Sequence, residues 1–266
     1  MTDFQKVIHY LTLAFAIFLI VSIVGGILSA VGLLAGFTRS ADLLETPKQY
    51  PVSGTIRELE LEIGAAALTV ETADRFGVDS DLPDLRVEVK NGCLQIVQKD
   101  QLIHTTKVGH VTVYLPEDIL LDEVDFTTGA GDVRIEALST RELDMELGAG
   151  RLEIGSFQVT GEGKLTGGTG EVSILDGELH DMKISMGVGR LDLTARLTGS
   201  CKIDCGVGAV ELTLLGSMAD YRIEAEKGLG RVTVNGDSVS DRETFGSGSD
   251  RVKINGGVGD IAVKCP

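Results

Sequence analysis

Asp125-Phe-Thr-Thr-Gly129-Ala-Gly131-Asp-Val-Arg-Ile135 and, one unit later, Asp144-Met-Glu-Leu-Gly148-Ala-Gly150-Arg-Leu-Glu-Ile154 carry the pattern on which this chain is built. An alternating segment runs into Gly-x-Gly and leaves as a second alternating segment. The glycine pairs recur at Gly129/Gly131, Gly148/Gly150, Gly168/Gly170, Gly187/Gly189, Gly206/Gly208, Gly228/Gly230 and Gly257/Gly259, with first glycines 19, 20, 19, 19, 22 and 29 residues apart. A period in this range is the signature of a solenoid. Three residues before the first glycine stand Phe126, Met145, Leu165, Ile184, Ile203, Ala225 and Ile254, apolar in every copy. Two and four residues after the second come Val133/Ile135, Leu152/Ile154, Val172/Ile174, Leu191/Leu193, Val210/Leu212, Val232/Val234 and Ile261/Val263. The residues between them are mostly polar, so each segment turns one face inward and one outward.

The glycines fall where the chain changes direction. A residue without Cβ can take positive φ there, or let a neighbouring backbone approach closely. A unit this short cannot bury its apolar face alone, whereas stacked units enclose a continuous aliphatic column. The expected fold is therefore all-β, a single-domain parallel β-helix or β-solenoid over residues 56–266 with coils of about 19–22 residues. Just after each second glycine the outward position reads Asp132, Arg151, Glu171, Arg190, Ala209, Arg231 and Asp260, and its first four members alternate in sign. Equivalent residues of a parallel stack lie about 4.8 Å apart, where opposite charges attract, so this row helps to fix register.

The net charge of −16 and the lack of a basic cluster exclude nucleic acid as a partner. Cys201 and Cys205 flank Ile203 on one strand and face the same way, about 13 Å apart, too far for a mutual bridge, and read as small buried hydrophobes.

From Val7 to Phe37 no residue is charged apart from a protonatable His9, and the segment is rich in Leu, Ile, Val, Phe and Ala and long enough for a transmembrane helix. The expected order is a cytoplasmic N-terminus at 1–6, a single membrane span at 7–37, a juxtamembrane linker at 38–55 and an extracytoplasmic C-terminal domain. Lys6 just ahead of the span sets that orientation. Leu59, Leu61, Ile63, Gly64, Ala66, Leu68 and Val70 fit the unit with Ala66 in place of the second glycine, and make a first coil. Residues 71–125 leave the period, with strands expected at 85–89, 94–97 and 111–115, a tight hairpin at Asn91-Gly92, a loop from Lys99 to His110, and a strand ended by Pro116. Asp237 to Asp250 read as an inserted loop and a candidate binding segment. The last coil runs to Pro266 without a cap of its own.

Val111-Thr-Val-Tyr-Leu-Pro116, Leu121-Asp-Glu-Val-Asp-Phe126 and Gly129-Ala-Gly-Asp-Val-Arg-Ile135 together resemble the bacterial putative-adhesin family of β-strand-repeat envelope proteins over roughly residues 55–265. The resemblance implies a β-helical fold, often behind a membrane anchor, in relatives associated with envelope-stress operons. This chain uses Gly-x-Gly where many relatives have Ser-Gly-Asp. No catalytic residue carries over.

No catalytic, cofactor or metal constellation emerges from the residues themselves. The glycine pairs lack the Lys and Ser/Thr of a phosphate loop. His9, His104, His110 and His180 show no ligand spacing, and Asp260 stands one place away from a calcium-repeat aspartate. With no Trp and few Tyr or Phe, stacking platforms for glycans are scarce. The expectation is a non-enzymatic, membrane-anchored interaction module, adhesin-like or tied to envelope stress. Its partners would be membrane lipid through the helix and another envelope protein. The alternatives are an envelope enzyme acting on polysaccharide and a sensor signalling through its helix.

Overall fold

The structure, a computed structural model, describes residues 47–98 and 108–265. The expected N-terminus, membrane span and most of the linker lie outside the described residues, as does most of the loop expected at 99–110. Among the described residues no helix is long and apolar enough to cross a membrane. The chain folds into strands: β1 (Lys48–Pro51), β2 (Glu58–Ala65), β3 (Ala67–Ala73), β4 (Gly77–Ser80), β5 (Leu85–Lys90), β6 (Cys93–Gln98) and β7 (His110–Pro116) come first. Four long strands carry the regular repeat, β8 (Leu121–Val159), β9 (Gly163–His180), β10 (Met182–Thr198) and β11 (Ser200–Leu214). Six short ones complete the chain, β12 (Tyr221–Glu226), β13 (Val232–Val234), β14 (Asp237–Ser238), β15 (Arg242–Phe245), β16 (Asp250–Asn255) and β17 (Ile261–Lys264).

The long strands bend without losing their ladder. In one coil the buried side chains are Leu143 and Met145, then Leu152 and Ile154, then Phe157 and Val159, so the inward positions are odd, even and odd in turn. Each change of parity marks a corner, at Gly148 to Gly150 and at Gly155, giving three ribbons per coil. Coils stack parallel and in register. Met145 pairs with Leu165, Leu165 with Ile184 and Ile184 with Ile203, while Ile154, Ile174, Leu193 and Leu212 stand in one file. Ile135, paired with Val70, belongs to the same buried position of its own coil. Burying each such side chain contributes about 1.5–3 kcal/mol, which is what a short ribbon cannot obtain alone.

The coils do not stack in simple chain order at either end, and the last coil, expected without a cap of its own, is covered. β2 and β3 lie between β8 on one side (Leu61 with Phe126, Val70 with Ile135) and β6 and β7 on the other (Leu61 with Ile96, Val70 with Val113). The coil that comes second in sequence is thus the outermost in space. At the other end β16 and β17, the last strands of the chain, pair with β11 (Ile203 with Ile254, Val210 with Ile261) and also with β12 and β13 (Ala225 with Ile254, Val232 with Ile261). Here the second-last coil is outermost. The spacing of 22 between Gly206 and Gly228 reflects this, because the extra residues cross the level that the final coil fills. Tyr221, 1% exposed, anchors that crossing and donates its hydroxyl to the Leu215 carbonyl at 2.5 Å.

Antiparallel strands then close the stack. β5 covers β6, joined through the left-handed turn Asn91-Gly92, while β4 covers β7 and β1 covers β4. At the far end β15 covers β12 and β14 covers β13. Residues 237–250, read from sequence as an inserted loop, are therefore the end cap of the solenoid. Outer edges are shielded by Pro51, by the Arg86–Glu88–Lys90 ion pairs and by the shortness of β14, the usual devices against edge-to-edge pairing.

Candidate functional site

The predicted corner glycines form two columns along one edge of the stack. The second glycines, Gly131, Gly150, Gly170, Gly189, Gly208, Gly230 and Gly259, have φ between 137° and 149°, a region closed to side chains. A Cβ on Gly150, Gly170, Gly189 or Gly208 would lie 1.9, 1.8, 1.7 or 1.7 Å from the carbonyl oxygen of the glycine one coil before. The first glycines, Gly129, Gly148, Gly168, Gly187, Gly206, Gly228 and Gly257, lie outside the left-handed region, but a Cβ there would meet backbone oxygen at 1.9–2.4 Å. At the first coil Ala66 stands in place of the second glycine, and its carbonyl oxygen is the one that a Cβ on Gly131 would meet at 2.0 Å. The buried Gln98 side chain accepts the Gly64 N–H at 2.9 Å.

Between the two glycine columns runs a ridge of outward residues. In spatial order it reads Ala130, Ala149, Thr169, Val188, Val207, Val258 and Leu229, joined by the ladder from coil to coil. Its last four members are large aliphatics 44–66% exposed, in register along the stack and flanked by the glycines. Sequence periodicity does not single them out, because the residue inside Gly-x-Gly belongs to neither alternating segment.

Charge is arranged differently on the two ribbons that meet at this edge. Beyond the second glycines Arg151 pairs with Glu171 at 3.0 Å, Arg134 with Glu153 at 2.9 Å, and Arg190 with both Asp192 and Glu211 at 2.8 Å. No two like charges are neighbours in the row of Asp132, Arg151, Glu171, Arg190, Ala209, Asp260 and Arg231 as it stacks in space. Before the first glycines the signs are segregated. Glu60, Asp125 and Asp144 occupy equivalent positions of successive coils, and Lys164, Lys183, Lys202 and Lys253 continue the same column. Asp125 raises the Glu123 carboxyl above its ordinary range, and burial, Asp144 and Glu60 raise Asp125 itself. Lys164 binds both Asp144 and Glu146, at 3.2 and 2.8 Å, at the boundary between the two blocks.

A groove of about 620 Å³ opens at the end cap where β1, β4 and β7 lie side by side. Cross-strand neighbours are Pro51, Gly77 and Tyr114 in one row and Gln49, Asp79 and Thr112 in the next. Gly77 lets the Tyr114 ring lie over the sheet, since a Cβ there would meet Tyr114 Cδ2 at 3.3 Å. The Tyr114 hydroxyl and the Gln49 amide both donate to Asp79 Oδ2, at 3.4 and 3.5 Å. Tyr50, Val52 and Phe76 line the groove and lean on the core, and Asp74 and Arg75 stand at its rim. Burial and the Asp79 and Glu71 charges hold the Tyr114 hydroxyl above its usual range. Tyr50, Phe76 and Tyr114 are far apart in sequence and meet only through this antiparallel pairing.

Cys201 and Cys205 are buried and unbridged, and burial pushes the Cys201 thiol up to about 11. His110 lies 3.2 Å from Asp81 and His180 3.3 Å from Asp181, as isolated pairs. Among the described residues no group of His, Cys, Asp and Glu has the arrangement of a metal centre.

Among solved structures, the chain is similar to a putative adhesin from Bacteroides fragilis, with 18% identity, 82% of this chain and 96% of that one covered, and a TM-score of 0.46. It is also similar to a putative cell adhesion protein from Clostridium sporogenes (18% identity, 83% and 99% covered, TM-score 0.36) and a putative lipid binding protein from Parabacteroides distasonis (14%, 81% and 96%, 0.34). No curated protein matches the chain. The Toastrack DUF4097 family model matches residues 47–264, and the chain belongs to that family.

Proposed function

We propose that this protein is a non-enzymatic interaction module of the cell envelope, adhesin-like or serving in envelope stress, whose solenoid is held outside the membrane by an uncleaved helix at residues 7–37. The observation that carries the interaction role is the ridge of Val188, Val207, Val258 and Leu229. Four large aliphatics in direct register on an outer edge form a continuous apolar line, and such lines on a soluble surface mark contact with another macromolecule. The uncharged run of residues 7–37 supports the anchor, and Lys6 supports export of the solenoid.

The test uses the full chain in native membranes, with a photoreactive amino acid at position 207 and affinity recovery after illumination. One envelope protein should be captured, and Leu229→Asp should abolish its capture while leaving the melting temperature within about 2 °C, as expected of an exposed site. Capture that persists in Leu229→Asp, or no capture at all, defeats the interaction reading. Protease access to residues 47–265 from the cytoplasmic side alone defeats the topology.

A further inference from the structure

We propose that the end-cap groove between β1, β4 and the turn at residues 73–77 is a saccharide-binding site, in which a pyranose ring stacks on Tyr114 and its hydroxyls bind Asp79 and Gln49. A sugar ring is amphipathic. Its C–H faces are apolar and its edge carries hydroxyls that donate and accept. The groove offers the complement of both. Tyr114 lies against Gly77, its cross-strand neighbour without a side chain, so no Cβ there competes for the space beside the ring, and it lines the groove as an aromatic on which a sugar face can stack.

In the next row on the same face, two residues along the strands, Asp79 has one oxygen engaged by Tyr114 and Gln49, and the other, Oδ1, has no donor among the described residues. A fixed carboxylate with a free oxygen beside an aromatic face can take a pair of vicinal hydroxyls, and the Gln49 amide supplies an acceptor next to it. Phe76, Tyr50 and Val52 also line the groove while packing against the core, and the volume of about 620 Å³ falls within the roughly 300–1,000 Å³ of small-ligand sites. The aromatic count in the sequence argued against glycans, but three of the chain's twelve Tyr and Phe residues line this one groove.

Other occupants fit less well. Asp74 and Asp79 against the single Arg75, in a chain of net charge −16, disfavour a phosphate or another anion. An acyl chain needs a dry channel, and this groove is open and rimmed by carboxylates. A peptide added as a strand would meet Pro51 on the outer edge of β1.

The experiment uses the full chain in a detergent without a sugar headgroup, and three neutral probes: the N-acetylglucosamine trisaccharide, cellotriose and maltotriose. Saturation-transfer NMR should show transfer to the ring C–H protons of at least one. Tyr114→Ala should abolish it, Asp79→Asn should weaken binding about 10-fold as expected for a lost hydrogen bond to a charged group, and Tyr114→Phe, which keeps the platform, should stay within about 3-fold of the parent. Because Tyr114→Ala uncovers Gly77 and could loosen the cap, Asp79→Asn and Tyr114→Phe serve as the folded comparisons, with circular dichroism of each. Absence of transfer for all three probes, or transfer unchanged by Tyr114→Ala and Asp79→Asn, overturns the assignment. Displacement of a bound probe by phosphatidylglycerol vesicles but not by excess trisaccharide overturns it in favour of a lipid.

Discussion

Replacing Gly189 by alanine isolates the interaction that sets the whole stack. Two costs add there. The residue sits at φ +144°, where any L side chain is strained by about 1–3 kcal/mol. The new Cβ would also lie 1.7 Å from the Gly170 carbonyl oxygen, against the 3.0 Å below which real Cβ contacts essentially never occur. Clearing it requires the coils to part by more than an ångström at a spacing of about 4.8 Å, which weakens one or two ladder hydrogen bonds at about 0.5–1.5 kcal/mol each. The sum is about 1.5–6 kcal/mol, or a fall of about 3–24 °C in melting temperature for a domain of this size. Far-UV circular dichroism on the full chain measures it, beside two comparisons that split the terms. Gly187→Ala has the contact, 2.4 Å from the Gly168 oxygen, without the positive φ, and Gly236→Ala has φ +90° with no atom within 4 Å. Gly189→Ala should cost more than either. If it melts with Gly236→Ala, close stacking is not what selects glycine, and the account of the corner fails.

The Asp125→Asn change tests the segregated face. A carboxyl raised in the folded state binds its proton more tightly folded than unfolded, so its cost is present above the folded pKa and released as the pH falls toward about 4; the variant should melt higher than the parent near neutral pH and equally at about pH 4. Arg151→Glu exchanges an exposed ion pair with Glu171 for a repulsion and should lower stability by about 0.5–1 kcal/mol, with the difference shrinking in high salt. Asn235 clamps the last strand by donating to the Cys265 carbonyl and accepting its N–H, at 2.9 and 2.8 Å, so Asn235→Ala should speed amide exchange at 261–265 before any other segment. Cys201, buried and with its thiol raised to about 11, should resist iodoacetamide until the chain unfolds, while the half-buried Cys93 is alkylated first.

The repeat was legible because it is local. Val133 and Ile135 alternate with polar neighbours, the glycine pairs recur, and both facts lie within one unit, so the inward files and the corners could be read from the sequence. The adhesin-family resemblance rested on the same residues. Order along the stack was not legible, because coil-to-coil pairing is non-local. Leu212 accepts Val263 as readily as Val234, since every coil offers the same aliphatic at that height. The outward charges did not decide it either, because Ala209 separates Arg190 from whichever coil comes next. One signal was available: 22 residues between Gly206 and Gly228 are more than a one-level step requires. The groove was hidden for a different reason. Antiparallel pairing of β1 with β4 and of β4 with β7 brings Tyr50 and Tyr114 together across 64 positions of sequence, and nothing in either strand names its partner.

The exchange of coils at the two ends has its cause in how a stack of ribbons is stopped. A strand at the end of a parallel stack leaves one row of N–H and C=O groups unpaired and invites another chain to continue the ladder. Had β16 and β17 been outermost, the described end of the chain would have occupied that edge, where fraying breaks one ladder only. Placed one level in, β17 is bonded to β11 on one side and β13 on the other, so lifting it costs both sets of bonds. The exposed level then falls to β12 and β13, and the segment that joins β13 to β16 is long enough to fold back as the antiparallel β14 and β15. Arg242 on that cap pairs with Glu226 of β12. β2 and β3 are protected in the same way by β6 and β7, and the covering strands β5, β4 and β1 end the sheet. Both departures from the glycine period, at 71–125 and at 231–256, therefore serve one physical requirement, and the end-cap groove exists because the first of them brings β4 and β1 over β7.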